Sequence, residues 1–147
     1  MEQRIEQPDQ QDLERISILL AYSSKMAMEV VSEPLDASLT DLQRLQAVAD
    51  TIQQVNADSE QQRLALQALG MSFGQVLATQ DKNYDWWMIN DDDGRDPCLR
   101  YQQSELLIFP QTIISKRAES GDALEIAALY NQITEQLQDV VNTQLKN

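Results

Sequence analysis

The sequence predicts an α+β fold in which a small antiparallel sheet is flanked by helices. The stretch from residue 84 to residue 110 holds both tryptophans and the only cysteine, and its β-branched and aromatic residues fall in short strand-like runs. The segments on either side carry apolar residues three and four positions apart, as amphipathic helices do. No repeat or linker divides the chain, so residues 1–147 are expected to form one domain.

The central stretch predicts a three-stranded antiparallel meander over about residues 85–109. The first turn is expected to contain Gly94 and Pro97, because Asp-Gly pairs favour tight connections and proline begins a strand more readily than it joins a central ladder. A sheet this small needs helices over at least one face, so at least one of Trp86 and Trp87 should enter the core. The strands are expected at residues 85–89, 98–101 and 105–109.

The N-terminal half predicts three helices that pack on this sheet, after a flexible lead at residues 1–10. Each helix shows one apolar stripe, and capping patterns mark the starts of the second and third. A short link makes these two helices antiparallel neighbours. The helices are expected at residues 11–31, from the capping box at 38–41 to about 55, and at 59–78 after the capping residue Asp58.

Two glycines in the third helix predict a close contact. Gly70 and Gly74 lie one turn apart, and each costs about 1 kcal/mol in a helix interior relative to alanine. The sheet or another helix is therefore expected to approach this face closely.

The C-terminal part predicts a short helix and then a long one. Pro110 suits the first turn of a helix over residues 111–120. A capping-box pattern at residues 122–125 opens the long C-terminal helix, and the tail at 142–147 is expected to fray.

Composition limits the classes of partner. The formal net charge is −13 and the pI is near 4.2, so binding to nucleic acid or to an anionic membrane is disfavoured. There is one cysteine, which permits no internal disulfide and fits a reducing compartment. The polar start carries no secretory signal pattern, and no run is long enough to cross a bilayer. A cytoplasmic protein is therefore expected; its oligomeric state is left open.

The absence of histidine removes most familiar catalytic and metal-binding arrangements. Cys98 stands alone and is interpreted as a core residue and not as a nucleophile. An EF-hand loop with its glycine at Gly94 would need acids at Ile89 and Arg100, so no metal site is predicted. No phosphate-binding or dinucleotide motif is present, and no cofactor is expected. These absences favour a protein that is not an enzyme.

Several short pieces occur in order between residues 64 and 133. They are the helix LALQALGMSFGQVLA, the adjoining Trp86 and Trp87, the turn at 94–97, the strand at 99–101, and Phe109-Pro110 followed by Ser115-Lys116-Arg117. Together they resemble the bacterial family called domain of unknown function 3806. The resemblance implies a bacterial, cytosolic protein of a family without an established activity.

The candidate binding residues are basic and aromatic. Five of the eleven Lys and Arg residues lie between Lys82 and Arg117. Arg100 and Arg117, if they converge beside Tyr101, would form a pocket for a carboxylate or phosphate. The competing interpretation is internal pairing with nearby acids such as Asp85, Asp92, Asp96 or Glu105. The predicted binding residues are Trp87, Arg95, Arg100, Tyr101, Lys116 and Arg117.

Two functions remain open from the sequence. The first is a non-enzymatic module that binds another protein, as an adaptor or as a neutralising partner of a basic protein. The second is a domain that binds a small molecule or an anion in an Arg-lined pocket. A broad exposed apolar surface favours the first, and a pocket formed by Arg100, Tyr101 and Arg117 favours the second.

Overall fold

The fold is α+β, as the sequence predicts, with five α-helices and one antiparallel sheet in the described part of the chain. The computed structural model describes residues 2–54 and 59–145. In chain order the elements are β1 (Arg4–Glu6), α1 (Gln10–Val31), α2 (Asp41–Gln54), α3 (Ser59–Gln80), β2 (Tyr84–Asp91), β3 (Gly94–Tyr101), β4 (Leu107–Ile108), α4 (Pro110–Glu119) and α5 (Ile126–Val140). A π-helical turn, Val141–Leu145, extends α5 through residues that were expected to fray.

The sheet has four strands in the order β1-β2-β3-β4, so the prediction of a three-stranded meander missed one strand. The added strand, β1, lies within the segment that was expected to be a flexible lead. Ile5 pairs with Ile89, and the Glu6 carboxylate accepts hydrogen bonds from Asn90 and Arg95. Three residues are too few to show a strand period, which explains why the pattern alone did not reveal this strand.

The β2–β3 hairpin is longer than expected, because pairing continues from Tyr84–Tyr101 to Asp91–Gly94. Pro97 lies inside β3, opposite Met88, and does not begin the strand. The backbone N–H of Tyr101 donates to the carbonyl of Leu106, on the β4 side of β3. Every second residue of a strand points its nitrogen to the same side, so the nitrogen of Pro97 also points toward the β4 side. Since β4 pairs only at residues 99 and 100, the proline leaves no ladder bond unmade.

Two helix starts differ from the expected capping boxes. α2 begins at Asp41, whose carboxylate accepts the backbone N–H groups of Asp36 and Ala37 ahead of the helix. α5 begins at Ile126 and not at residue 122, because Gln46 of α2 accepts its N–H at 2.8 Å. The expected break at residues 56–58, with its capping Asp58, lies outside the described residues.

The glycine prediction is confirmed. A Cβ atom at Gly70 would lie 2.0 Å from the carbonyl oxygen of Pro110, at the start of α4. At Gly74 a Cβ would lie 2.7 Å from the Pro110 side chain and 3.1 Å from the ring of Trp86. Because Gly70 and Gly74 have no side chain, α4 and the sheet can pack directly on α3.

The core lies around α3, which packs against α1, α2 and α4 and against β2 of the sheet. Its largest fully buried side chains include Phe73, Leu45 and Leu99, which come from α3, α2 and β3. Trp86 reaches the core from β2 and donates its indole N–H to Gln75 of α3 at 3.1 Å. Within the described residues, none of the helices combines the length and the apolar character needed to cross a membrane.

Candidate functional site

An apolar groove opens between the sheet, α4 and the C-terminal half of α5. Its volume is about 460 Å³, within the range of about 300–1,000 Å³ that is typical of ligand sites. The groove is lined by Tyr84, Tyr101, Leu106, Leu107, Ile108, Phe109, Thr112, Ile113, Lys116, Ile133, Gln136, Leu137 and Val140.

The wall from α5 is formed by the part of its apolar stripe that the core covers only partly. Near its start, Ile126 and Leu129 are buried. Farther along, Ile133, Leu137 and Val140 are only partly buried and line the apolar groove. Ile133 and Leu137 still pack against the core, but an apolar stripe that is only partly covered leaves apolar surface for another molecule.

The opposite wall is formed where the chain leaves the sheet and enters α4. β4 contributes Leu107 and Ile108, and α4 contributes Ile113 one turn after its start. Phe109, between the two elements, is 38% exposed. An exposed phenylalanine beside a concave apolar surface adds to the area available for binding.

Two tyrosines form the sheet side of the apolar groove. Tyr84 and Tyr101 pack edge to face with ring centroids 5.3 Å apart, and the Tyr101 hydroxyl accepts a hydrogen bond from Asn83 at 3.1 Å. The Tyr84 hydroxyl is buried and has no hydrogen-bond partner among the described residues. Burial raises the pKa of Tyr84 well above its usual range, so this hydroxyl is neutral at physiological pH.

The lining of the apolar groove differs in charge from the rest of the molecule. Lys116, which is exposed, is the cation among the described lining residues, and none of those residues is an acid. The chain as a whole carries 24 acidic residues against eleven basic ones. The groove is therefore an apolar surface with one positive charge, on a strongly acidic protein.

The structure brings two of the predicted binding residues, Tyr101 and Lys116, into the apolar groove. Arg100 and Trp87 lie on the other face of the sheet, because adjacent residues of a strand point to opposite sides. There the Arg100 guanidinium lies 4.8 Å from the centroid of the Trp87 ring, and it donates to the carbonyl oxygens of Ser104 and Gln103.

Arg95 joins the sheet to α1. Its guanidinium donates to Asp12 at 2.7 Å and also to Glu6. These hydrogen bonds from Arg95 hold the pKa values of both carboxyl groups below their usual range. Asp12 is only 1% exposed and also belongs to the capping box of α1 with Asp9. Arg95 is thus paired internally, although with other acids than the sequence suggested.

The hypothesis of a pocket formed by Arg100 and Arg117 beside Tyr101 needs both side chains on the Tyr101 face of the sheet, and Arg100 lies on the other face. Arg117 lies in the last turn of α4 and does not line the apolar groove. Cys98 is buried in β3, and burial raises the pKa of its thiol to about 11, so the thiolate is scarce at neutral pH. No group of three or more metal-ligating acids or cysteines occurs within residues 2–54 and 59–145.

A comparison with protein families gives a match to one family model. The model of the domain of unknown function DUF3806 matches residues 41–130, from the start of α2 into α5. This chain belongs to the DUF3806 family. The DUF3806 match includes the groove residues from Tyr84 to Lys116, whereas Ile133, Leu137 and Val140 lie beyond it.

A crystal structure from Bacteroides thetaiotaomicron VPI-5482, at 1.50 Å resolution, has a similar fold. The similarity covers 92% of this DUF3806 chain with a TM-score of 0.80, at 16% sequence identity. It covers 48% of the Bacteroides chain, so the present chain spans about half the length of that protein. At this identity the likeness supports the fold alone. No curated protein matches this chain.

Sequence reasoning missed most of the groove. Ile133, Leu137 and Val140 belong to the apolar stripe of the C-terminal helix, to which no binding role was given, and Phe109 was interpreted as the end of a strand. A stripe that extends over most of a 15-residue helix was the available signal. The sequence does not show where its packing partners end.

Proposed function

We propose that this DUF3806 protein is a non-enzymatic protein-interaction module of the bacterial cytosol, and that it binds an apolar segment of another protein in the apolar groove. The observation that carries the proposal is the groove itself, an open concave surface of about 460 Å³ whose lining is mostly aliphatic and aromatic. Open grooves beside a helix accept the apolar face of a partner segment, with pockets for its successive side chains.

The acidic surface supports a partner that is basic elsewhere. A net charge of −13 attracts a positively charged protein and speeds its diffusional encounter. This agrees with an adaptor or a neutralising partner. The alternative, an anion-binding domain, would need arginines that converge on one pocket, and neither Arg100 nor Arg117 lines the apolar groove.

Site-specific photocrosslinking in the native host tests the proposal. A benzoylphenylalanine replaces Gln136, which lines the apolar groove, or Glu135, which is exposed and lies on the opposite side of α5. We expect a discrete protein adduct from position 136 and none from position 135. The adduct should disappear when Val140→Glu is added. Equal adducts from both positions, or no adduct from position 136, would contradict a binding role for the groove.

A further inference from the structure

We infer that the apolar groove selects a segment in which apolar side chains stand next to a carboxylate, and that Lys116 receives that carboxylate. The inference rests on the proposed function and specifies the chemistry of the partner. Its basis is the charge of the groove lining, which is opposite in sign to that of the protein.

Lys116 is placed to act on the occupant and not on its own chain. It lies in the last turn of α4 and is exposed, and no ion pair joins it to an acid in the described residues. By contrast, Arg44 and Arg95 each contact at least two carboxylates. A lysine near the C-terminal end of a helix also interacts favourably with the helix dipole. Arg117 lies in the same turn and makes the same interaction, so Lys116 is not required for it.

The neighbouring acids do not cancel this charge within the groove. Glu105 and Asp139 are exposed and lie next to the lining residues Leu106 and Val140 in the sequence, but neither lines the groove. A carboxylate bound beside Lys116 would therefore meet one cation at the edge of an apolar surface. A cation in the same place would meet the lysine ammonium and be repelled.

The chemistry can be tested with three probes that share an eight-carbon chain, namely octanoate, octylammonium and octanol. Binding is measured by NMR titration of the isoleucine and leucine methyl groups, at neutral pH and 150 mM salt. At this ionic strength the Debye length is about 8 Å, so the general field of the protein is screened while a contact with Lys116 persists. The residual field favours octylammonium, so a preference for octanoate reports the local lysine.

We expect all three probes to shift the methyl signals of Ile113, Ile133 and Leu137. We expect octanoate to bind at least about threefold more tightly than octylammonium, since an exposed ion pair changes affinity by up to about fivefold and repulsion of octylammonium adds to the difference. Lys116→Glu should reverse the order, and Lys116→Arg should keep it. Lys25→Glu, in α1, makes the same change in net charge away from the groove and should keep it as well.

The outcomes separate the inference from the proposed function. Octanol binding in the groove without a preference for octanoate, or a preference that survives Lys116→Glu, overturns the carboxylate inference and leaves an apolar binding groove. A lack of methyl shifts with every probe overturns both. Reversal of the preference in Lys116→Glu alone supports the inference.

Discussion

Replacement of Gly70 by alanine should destabilise the protein, although alanine is the better helix former. The change gains about 1 kcal/mol of helix propensity. However, the new Cβ would lie 2.0 Å from the Pro110 carbonyl oxygen, 1.0 Å closer than the 3.0 Å that such atoms normally keep. The contact is with backbone, so α3 and α4 must separate.

The expected loss follows from these two effects. Overpacking typically costs about 1–3 kcal/mol, and a backbone contact belongs at the upper end of that range. After the gain in propensity, we expect Gly70→Ala to lower the free energy of unfolding by about 2 kcal/mol. For a chain of this size that corresponds to a fall in Tm of roughly 4–8 °C.

Urea unfolding followed by far-UV circular dichroism measures this difference, and the midpoint should fall while the slope m stays constant. Thr79→Ala, at an exposed position of the same helix, is the control and should change stability by at most about 0.5 kcal/mol. Gly74→Ala should be milder than Gly70→Ala, since its nearest atoms belong to side chains. A Gly70→Ala protein as stable as the wild type would refute the close packing of α3 on α4.

Three further predictions concern single side chains. Tyr84→Phe should raise the free energy of unfolding by about 1 kcal/mol in urea melts, because it removes a buried hydroxyl that has no hydrogen-bond partner among the described residues. A loss of stability would contradict this and show that the hydroxyl is hydrogen-bonded. The pKa of Asp12 is lowered in the folded state, so its contribution to stability is present above about pH 5 and is lost as the pH falls. Asp12→Asn should therefore be less stable than the wild type at pH 7, with a shallower acid limb in melts recorded from pH 7 to pH 3; parallel curves would count against the ion pair with Arg95. Gln46→Ala removes two hydrogen bonds at the start of α5 and should lower the free energy of unfolding by about 1–3 kcal/mol in urea melts. An unchanged urea midpoint would show that this cap is dispensable.

The fold class was predictable because it depends on local patterns. Apolar spacing located the helices, and the strand-like runs around Trp86 and Trp87 located the hairpin. The two glycines of α3 also predicted a close contact, since a glycine in a helix interior needs compensation. These signals lie within a few residues of one another, so no tertiary information was needed to use them.

The elements that were missed depend on distant partners. β1 pairs with residues more than 80 positions away in the sequence, and Arg95 and its partner Asp12 are separated by a similar number of residues. The start of α5 moved to Ile126 because Gln46 caps it from α2. None of these partners can be chosen from the sequence alone, because many other polar residues compete for the same role.

The candidate site was predictable only in part. Of the predicted binding residues, Tyr101 and Lys116 both line the apolar groove. The hypothesis that Arg100 converges beside Tyr101 overlooked that successive strand residues face opposite sides. Strand alternation could have excluded that arrangement. The α5 wall of the apolar groove was not recognised, because periodicity identifies an apolar stripe without showing which part of it is covered.

The most direct test of the apolar groove is isothermal titration calorimetry with the partner crosslinked from position 136. Burial of apolar surface predicts a negative heat-capacity change on binding. Val140→Glu places a charge in the groove and should weaken binding by more than tenfold, whereas Glu135→Gln on the opposite side of α5 should not. A heat-capacity change near zero, or equal affinity of Val140→Glu and the wild type, would contradict the groove as the binding surface.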